Sequence, residues 1–248
     1  MKCLGHICLL FLSLLYGCNK PDAPDCFKSN GKEQRETRFV GKFNSVEVNN
    51  NVYVTIYQGN DFKVEVLGPK NELTKIETLL QDTLLVIKNK NECAFVRGYK
   101  RKVQVYVTLP KLKYAKNNSV FSMQLAAGFK QDTLQLRNEN SGDIVVNGNY
   151  GQVYVSSHGN GDVRLNGVCD QLLIYTNGLN FIYGQNMVVK SYAYVATLSI
   201  GDVYINGSEL DQLDCHIHKS GNVYYTGNPQ VFNNTFEDYG SGKIIKLP

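Results

Sequence analysis

A chain of 248 residues with 43% hydrophobic content holds enough apolar material for one large or two modest cores. Its formal net charge of +4 is scattered, with one small basic cluster at Lys100, Arg101 and Lys102, which argues against a nucleic-acid-binding surface. With 16 Tyr, 11 Phe, 22 Gly, 6 Pro and no Trp, its short β-branched and aromatic runs, punctuated by Gly, Asn and Asp, predict an all-β protein.

Residues 1–17 read as a signal peptide of lipoprotein type. Lys2 supplies the charged start, and 7–15 is apolar apart from Ser13, too short for a membrane-spanning helix of ~20 residues. The segment ends in Leu15-Tyr16-Gly17-Cys18, which resembles the bacterial lipobox. That resemblance implies cleavage before Cys18, a lipid on its thiol, and a membrane partner through that anchor. It places the chain in the cell envelope as an outer-membrane lipoprotein, facing the periplasm or the surface. Residues 18–37 predict a flexible tether, being rich in Asn, Lys, Asp, Pro and Ser as far as Lys32; 38–248 is the folded domain. Beyond the signal and Cys18, the cysteines are Cys26, Cys93, Cys169 and Cys215. An even number in an exported chain permits disulfides in three connectivities. The apolar surroundings of Cys169 and Cys215 predict buried thiols instead. No Cys-x-x-Cys spacing points to zinc, and no cofactor is expected.

From 38 to 130 the grammar is that of β-strands. Val46-Glu47-Val48, 52–59, 64–68, 83–87 and 103–109 alternate apolar and polar residues, and 73–81 predicts the single short helix.

From 141 a unit recurs: Ser141-Gly142-Asp143-Ile144-Val145-Val146-Asn147-Gly148, then Asn160-Gly161-Asp162-Val163-Arg164-Leu165-Asn166-Gly167, a degenerate copy at 179–184, Ile200-Gly201-Asp202-Val203-Tyr204-Ile205-Asn206-Gly207, Ser220-Gly221-Asn222-Val223-Tyr224-Tyr225-Thr226-Gly227, and a truncated copy at 241–246. Gly142, Gly161, Gly201, Gly221 and Gly242 lie 19, 40, 20 and 21 residues apart. A fixed period near 20 marks a solenoid. Each unit carries a second strand, at 152–156, 171–175, 186–190 and 212–216. Alternation sends Val153/Val155, Leu172/Ile174, Met187/Val189 and Leu213/Cys215 inward. In the Gly-Asp strand the inward pairs are Ile144/Val146, Val163/Leu165, Phe181/Tyr183, Val203/Ile205 and Val223/Tyr225. Such rungs bury their apolar side only by stacking, ~4.8 Å apart. The glycines predict corners with φ > 0, and the Asn-Gly pairs at 147, 166 and 206 an asparagine ladder. A parallel β-helix fits this register best; a sandwich stays open because Asn-Gly is also a hairpin signal.

An edge strand ending in Gln58-Gly59, the strands at 64–66 and 85–87, the Val105-to-Leu112 segment with its Leu109-Pro110, and the glycine-rich rungs follow one another in an order that resembles the putative auto-transporter adhesin, head GIN domain family of Bacteroidetes lipoproteins and exported proteins. The resemblance spans 38–248. It implies a single-stranded, right-handed parallel β-helix at the cell envelope without established catalytic residues, and hence an envelope-anchored adhesin or binding scaffold.

Two other functions are weighed: a β-helix polysaccharide lyase or hydrolase, and a structural subunit of an envelope complex. The enzyme reading rests on the corner column Asp143, Asp162 and Asp202, which suits Ca²⁺. The same residues suit plain turn chemistry, and Asn180 and Asn222 in that column favour the turn. His216 and His218, with Asp214, form a candidate metal set or an exposed polar face; the latter is preferred, and no metal is expected. Arg164, Ile182, Tyr204 and Tyr224 are expected in one outward column beside Val145, with Tyr154, Leu173 and Tyr175 outward on the other strand. Tyr154, Arg164, Tyr175, Tyr204 and Tyr224 are the candidate ligand-binding residues, for a glycan or protein, since Tyr gives rigid amphipathic contact.

Overall fold

The structure, a computed structural model, describes residues 30–91, 102–234 and 240–248. The signal segment 1–17, Cys18, Cys26, Cys93 and the Lys100–Arg101 pair lie outside the described residues. The chain forms a β-helix of about six turns. The rungs are built from β2 (Ser45–Asn50), β3 (Tyr53–Gln58), β6 (Leu84–Asn89), β7 (Gln104–Leu109), β8 (Tyr114–Ser119), β9 (Met123–Leu125), β10 (Phe129–Asn138), β11 (Ile144–Ser157), β12 (Val163–Gly178), β13 (Ile182–Ser199), β14 (Val203–Asn206), β15 (Gln212–Ile217), β16 (Val223–Tyr225), β17 (Val231–Asn233) and β18 (Ile244–Lys246).

Two long faces run along the solenoid. On the Gly-Asp face, Ile144, Val163, Ile182, Val203, Val223 and Ile244 stand in register through parallel pairing. On the second face, Val46, Ala115, Leu136, Val155, Ile174, Val195 and Cys215 do the same. Apart from half-buried Ile244, these side chains are buried in one continuous core. The period-2 alternation therefore becomes two apolar columns that no single rung could bury. A short third side carries buried Tyr150, Cys169 and Val189.

The expected positive φ is found at the rung-ending Gly167 and Gly227, but the leading glycines have a different cause. Positive φ occurs at Gly31, Gly128, Gly167, Gly178 and Gly227, not at the glycines that precede the Asp or Asn. Those sit where rungs touch. A Cβ on Gly161 would lie 2.2 Å from the Gly142 carbonyl oxygen, and one on Gly221 equally close to that of Gly201. Close backbone approach, not left-handed geometry, demands glycine there.

Two further expectations are corrected. In the degenerate copy, Ile182 pairs with Val163 and Tyr183 with Arg164, so Ile182 is buried and Tyr183 points outward. A slip of one residue exchanges every side chain between faces. The corner column accordingly holds Phe181, and Asn180 takes the glycine position. The second strand of this rung is 192–197, with Ala193 and Val195 against Leu172 and Ile174. Met187 and Val189 are buried, but on the third side, because β13 carries irregularities between Gly184 and Val188 and opposite Cys169–Gln171.

The other end of the solenoid departs from parallel pairing. β1 (Glu33–Arg38) runs antiparallel to β4 (Lys63–Pro69), β4 antiparallel to β7, and β5 (Ile76–Gln81) antiparallel to β6. The expected tether thus enters a strand at Glu33. The expected helix over 73–81 shrinks to α1 (Lys70–Leu73) followed by β5. Asp82, at φ 53°, turns β5 back onto β6, and the ladder with β6 satisfies the backbone that a helix would otherwise have had to satisfy. Charged Glu33, Arg35, Glu36 and Arg38 line the outermost strand, as edge protection requires.

A polar line runs inside the apolar core. Asn117, Asn138, Ser157, Thr176 and Thr197 are buried in register. The Nδ2 groups of Asn117 and Asn138 donate to the carbonyls of Gly142 and Gly161 at 3.0 and 2.9 Å. Buried Asn180 donates to Gly159 O at 2.8 Å and accepts from the Thr176 hydroxyl. These bonds satisfy corner carbonyls that the tight glycine turns leave facing inward.

Candidate functional site

The five candidate residues separate onto two faces. Arg164, Tyr204 and Tyr224 share the outward column of the Gly-Asp face, which runs Val145, Arg164, Tyr183, Tyr204, Tyr224, Ile245. Tyr183 belongs to this column in place of Ile182; counting 19 residues on from Val163, the spacing of the preceding rung, finds the register. The Arg164 guanidinium lies 4.4 Å from the Tyr183 ring centroid. Tyr183 stacks on Tyr204 at 5.7 Å, and Tyr204 on Tyr224 at 4.9 Å, each pair within 10° of parallel. The π-faces are consumed by the neighbouring rungs, so the surface presents ring edges and hydroxyls. Burial raises the Tyr204 phenol pKa, helped by Asp202 and the two neighbouring tyrosines.

Beside this stack the Asp column acts as a set of turn caps. Asp143 Oδ1 accepts the Asp162 N–H at 2.9 Å, Asp162 Oδ1 that of Phe181 at 3.0 Å, and Asp202 Oδ1 that of Asn222 at 2.8 Å. Asn222 repeats the bond to Lys243. Each carboxylate locks the next rung. Arg164 takes the remaining oxygens, at 3.2 Å from Asp162 and 3.9 Å from Asp143. The asparagine ladder forms chiefly through backbone: Asn147 and Asn166 donate to Leu125 O and Val146 O of the preceding rung, while Asn186 reaches the Asn166 side chain at 3.2 Å.

Tyr154 and Tyr175 lie on the second face. Its outward columns read Tyr154, Leu173, Tyr194, Asp214 and Ser156, Tyr175, Ala196, His216. Here the tyrosines alternate with other residues instead of stacking. Tyr154 is 42% exposed. Tyr175 meets His158 at 5.6 Å and 44°, and Tyr194 meets His216 at 5.4 Å and 45°. Gln152 Nε2 donates to Gln171 Oε1 at 3.1 Å along the rim. The segments 152–158, 171–177 and 192–198 contain no Asp, Glu, Lys or Arg. Charged rungs bound them: Arg137 and Glu139 on one side, Asp214 on the other.

Asp214 is fully engaged. It accepts bonds from Tyr192 Oη at 2.8 Å, Gln212 Nε2 at 3.0 Å and Asn233 Nδ2 at 2.9 Å. Burial works to raise its pKa, but these donors, with His216, hold it below the usual carboxylate value. The same environment pushes the Tyr192 phenol up to about 12, burial first and the bond to Asp214 second. With its lone pairs so occupied, Asp214 is a poor partner for a metal at His216 and His218, and no group of three metal-ligating residues occurs among the described residues. Cys169 and Cys215 are buried thiols; burial pushes that of Cys169 up to about 12. A separate hollow of about 410 Å³ is lined by Asn44, Lys111, Lys113, Gln131, Asp132 and Gln135 among others, with Asp132 as its one carboxylate.

Residues 42–229 match the family described as putative auto-transporter adhesin, head GIN domain. Solved structures share the fold. A putative adhesin from Bacteroides fragilis is 21% identical, with a TM-score of 0.75 over 87% of this chain and 97% of that one. A putative adhesin from Parabacteroides merdae is 17% identical, with a TM-score of 0.65 over 89% and 98%. A protein from Parabacteroides distasonis described as a putative lipid binding protein is 15% identical, with a TM-score of 0.60 over 89% and 98%. No curated protein matches the chain.

Proposed function

The chain belongs to the putative auto-transporter adhesin, head GIN domain family, and from that premise we propose that it is a non-catalytic binding module of the cell envelope, an adhesin or scaffold held to the membrane by a lipid on Cys18. One observation carries the binding reading: the uncharged, tyrosine-bearing strip on the second face, displayed on rigid rungs and flanked by charged ones. Rigid aromatic contact surfaces with short polar neighbours lose little entropy on binding. A polysaccharide lyase or hydrolase is disfavoured because Asp143, Asp162 and Asp202 are occupied as rung caps, and glycoside hydrolysis ordinarily uses a pair of carboxylates facing one bond.

The anchor is tested by metabolic labelling with a palmitate analogue: the natural chain takes up label and sediments with membranes, and Cys18→Ser does neither. A Cys18→Ser chain that still carries lipid removes the anchor from the account. Binding is tested with the full chain reconstituted in liposomes against surfaces coated with glycans and matrix proteins. Retention on at least one surface, lost on Tyr154→Ala, supports the module; no retention at high protein density contradicts it, and a stable envelope complex recovered from native membranes then favours a structural subunit.

A further inference from the structure

Resting on that reading, we infer that the second face binds an uncharged, extended β-linked glycan, laid along the solenoid axis across Tyr154, Tyr175 and Tyr194. Three observations converge. Tyr154 and Tyr194 share one outward column with Leu173 between them, so their rings stand two rungs apart, ~10 Å. Unlike Tyr183, Tyr204 and Tyr224, they join no parallel ring stack between rungs; Tyr194 meets only the tilted imidazole of His216, at 5.4 Å and 45°. Tyr154 is exposed and Tyr194 half-buried, so ring surface not taken up by a stack remains for the axial C–H groups of a sugar. An extended β-linked chain turns the same sugar face outward every second residue, at about the same interval. Tyr175 lies on the middle rung, two residues along the strand, which is ~7 Å to the side, where it meets the intervening sugar or its edge.

The second observation is charge. Segments 152–158, 171–177 and 192–198 carry none in a chain that is 19% charged. A polyuronate or sulfated ligand would lose its counterions here and find no cation within these three segments, the bordering Arg137 being paired with Glu139. A neutral polyol has no such cost. The third is the rim. Gln152 and Gln171 are linked to each other by one bond, which orients their amides and leaves further donor and acceptor capacity for hydroxyl groups. Aromatic platforms beside preoriented amides suit sugar rings, whose faces are apolar and whose edges are hydroxylated. On the Gly-Asp face neither condition holds: the rings cover one another, and Arg164 with the Asp column brings charge.

The test is calorimetric titration of the full chain in detergent with cellohexaose, xylohexaose and hexagalacturonate. A neutral hexasaccharide binds, with an affinity that added salt leaves unchanged; hexagalacturonate does not. Tyr154→Ala and Tyr194→Ala each weaken binding about tenfold or more, the loss of a ring anchor. Tyr154→Phe retains binding, because the ring face and not the hydroxyl makes the contact. Tyr204→Ala lowers thermal stability and leaves affinity unchanged. Preference for hexagalacturonate, or full affinity in a folded Tyr154→Ala/Tyr194→Ala double variant, overturns the inference. So does capture of a matrix protein through Tyr154 by a chain that binds no hexasaccharide, although that outcome preserves the binding-module reading. A chain that binds neither sugar nor protein takes down both.

Discussion

The two long faces carry the same residue to different ends. On the Gly-Asp face, Tyr183, Tyr204 and Tyr224 fall in one column and stack at 5.7 and 4.9 Å. On the second face, Tyr154 and Tyr194 are separated by Leu173 and enter no parallel stack; Tyr194 meets only the tilted His216 ring at 5.4 Å. In a solenoid the neighbour above and below is fixed by the repeat length. Whether an aromatic ring holds rungs together or remains open to a ligand is therefore decided by what the next repeat places at the same position. Composition alone cannot separate the two cases.

The sharpest way to break this comparison is to attack the register behind it. Ile182→Asp buries a charge in the core and is expected to cost about 4 kcal/mol or more, to the point of failing to fold. Phe181→Asp restores the corner residue of the other rungs but gives up one ring contact with Tyr183 at 6.0 Å, so it is expected to cost no more than about 1.5 kcal/mol. If Phe181→Asp proves the more damaging in denaturant titrations, the register of this rung is wrong and Tyr183 leaves the stack. Next in size, Tyr204→Ala removes two ring contacts of roughly 0.5–1.5 kcal/mol each, so chemical denaturation should show a loss of about 1–3 kcal/mol. Tyr154→Ala should lie within about 0.5 kcal/mol of the natural chain. Equal losses at the two positions erase the distinction between the faces.

Two smaller effects follow from the titrating groups. Asp214 has its pKa depressed in the folded state, so it contributes stability above the ordinary carboxylate range, and that contribution is lost as pH falls through the folded value. Tyr192 has its pKa raised to about 12; its contribution is complete below the ordinary phenol value near 10 and disappears as pH rises towards 12. Stability measured against pH should therefore decline at both extremes, and Asp214→Asn should flatten the acid limb and reduce the alkaline one. An unchanged acid limb in Asp214→Asn removes the carboxylate's role. Smallest of all, the thiol of Cys169, buried and pushed up to about 12, should resist alkylation at pH 8 in the native chain and react only on unfolding; rapid native modification, read by mass spectrometry at that residue, would show that the third side opens.

Much of the solenoid was legible because close packing leaves few choices. Glycines at intervals of 19 to 21 residues mark the rung contacts, and alternation around Val163, Val203 and Val223 marks the inward side. The degenerate rung hides its register because Phe181 puts an aromatic ring at a corner where the other rungs place polar residues. Phe181 and Tyr183 then alternate as plausibly inward as Ile182 and Gly184. Only the interval from Val163 distinguishes the two. β1 leaves no signature in the sequence because a strand that caps a sheet edge carries charge at Glu33, Arg35, Glu36 and Arg38 and shows no apolar face. The helix expected over 73–81 gave way to pairing between β5 and β6, a contact set by the Asp82 turn. The outward tyrosines were visible as residues, but their division into stacked and open sets depends on register between rungs, which a linear reading holds only as precisely as it counts.

Tyrosine nitration with tetranitromethane, mapped residue by residue, tests the difference between the faces most directly. The reagent needs an accessible phenolate. Tyr154, exposed and unstacked, should be modified early in the native chain. Tyr204, stacked on both sides and with its pKa raised, should be modified late. Early nitration of Tyr204 with Tyr154 protected would contradict the assignment of one face to stability and the other to binding.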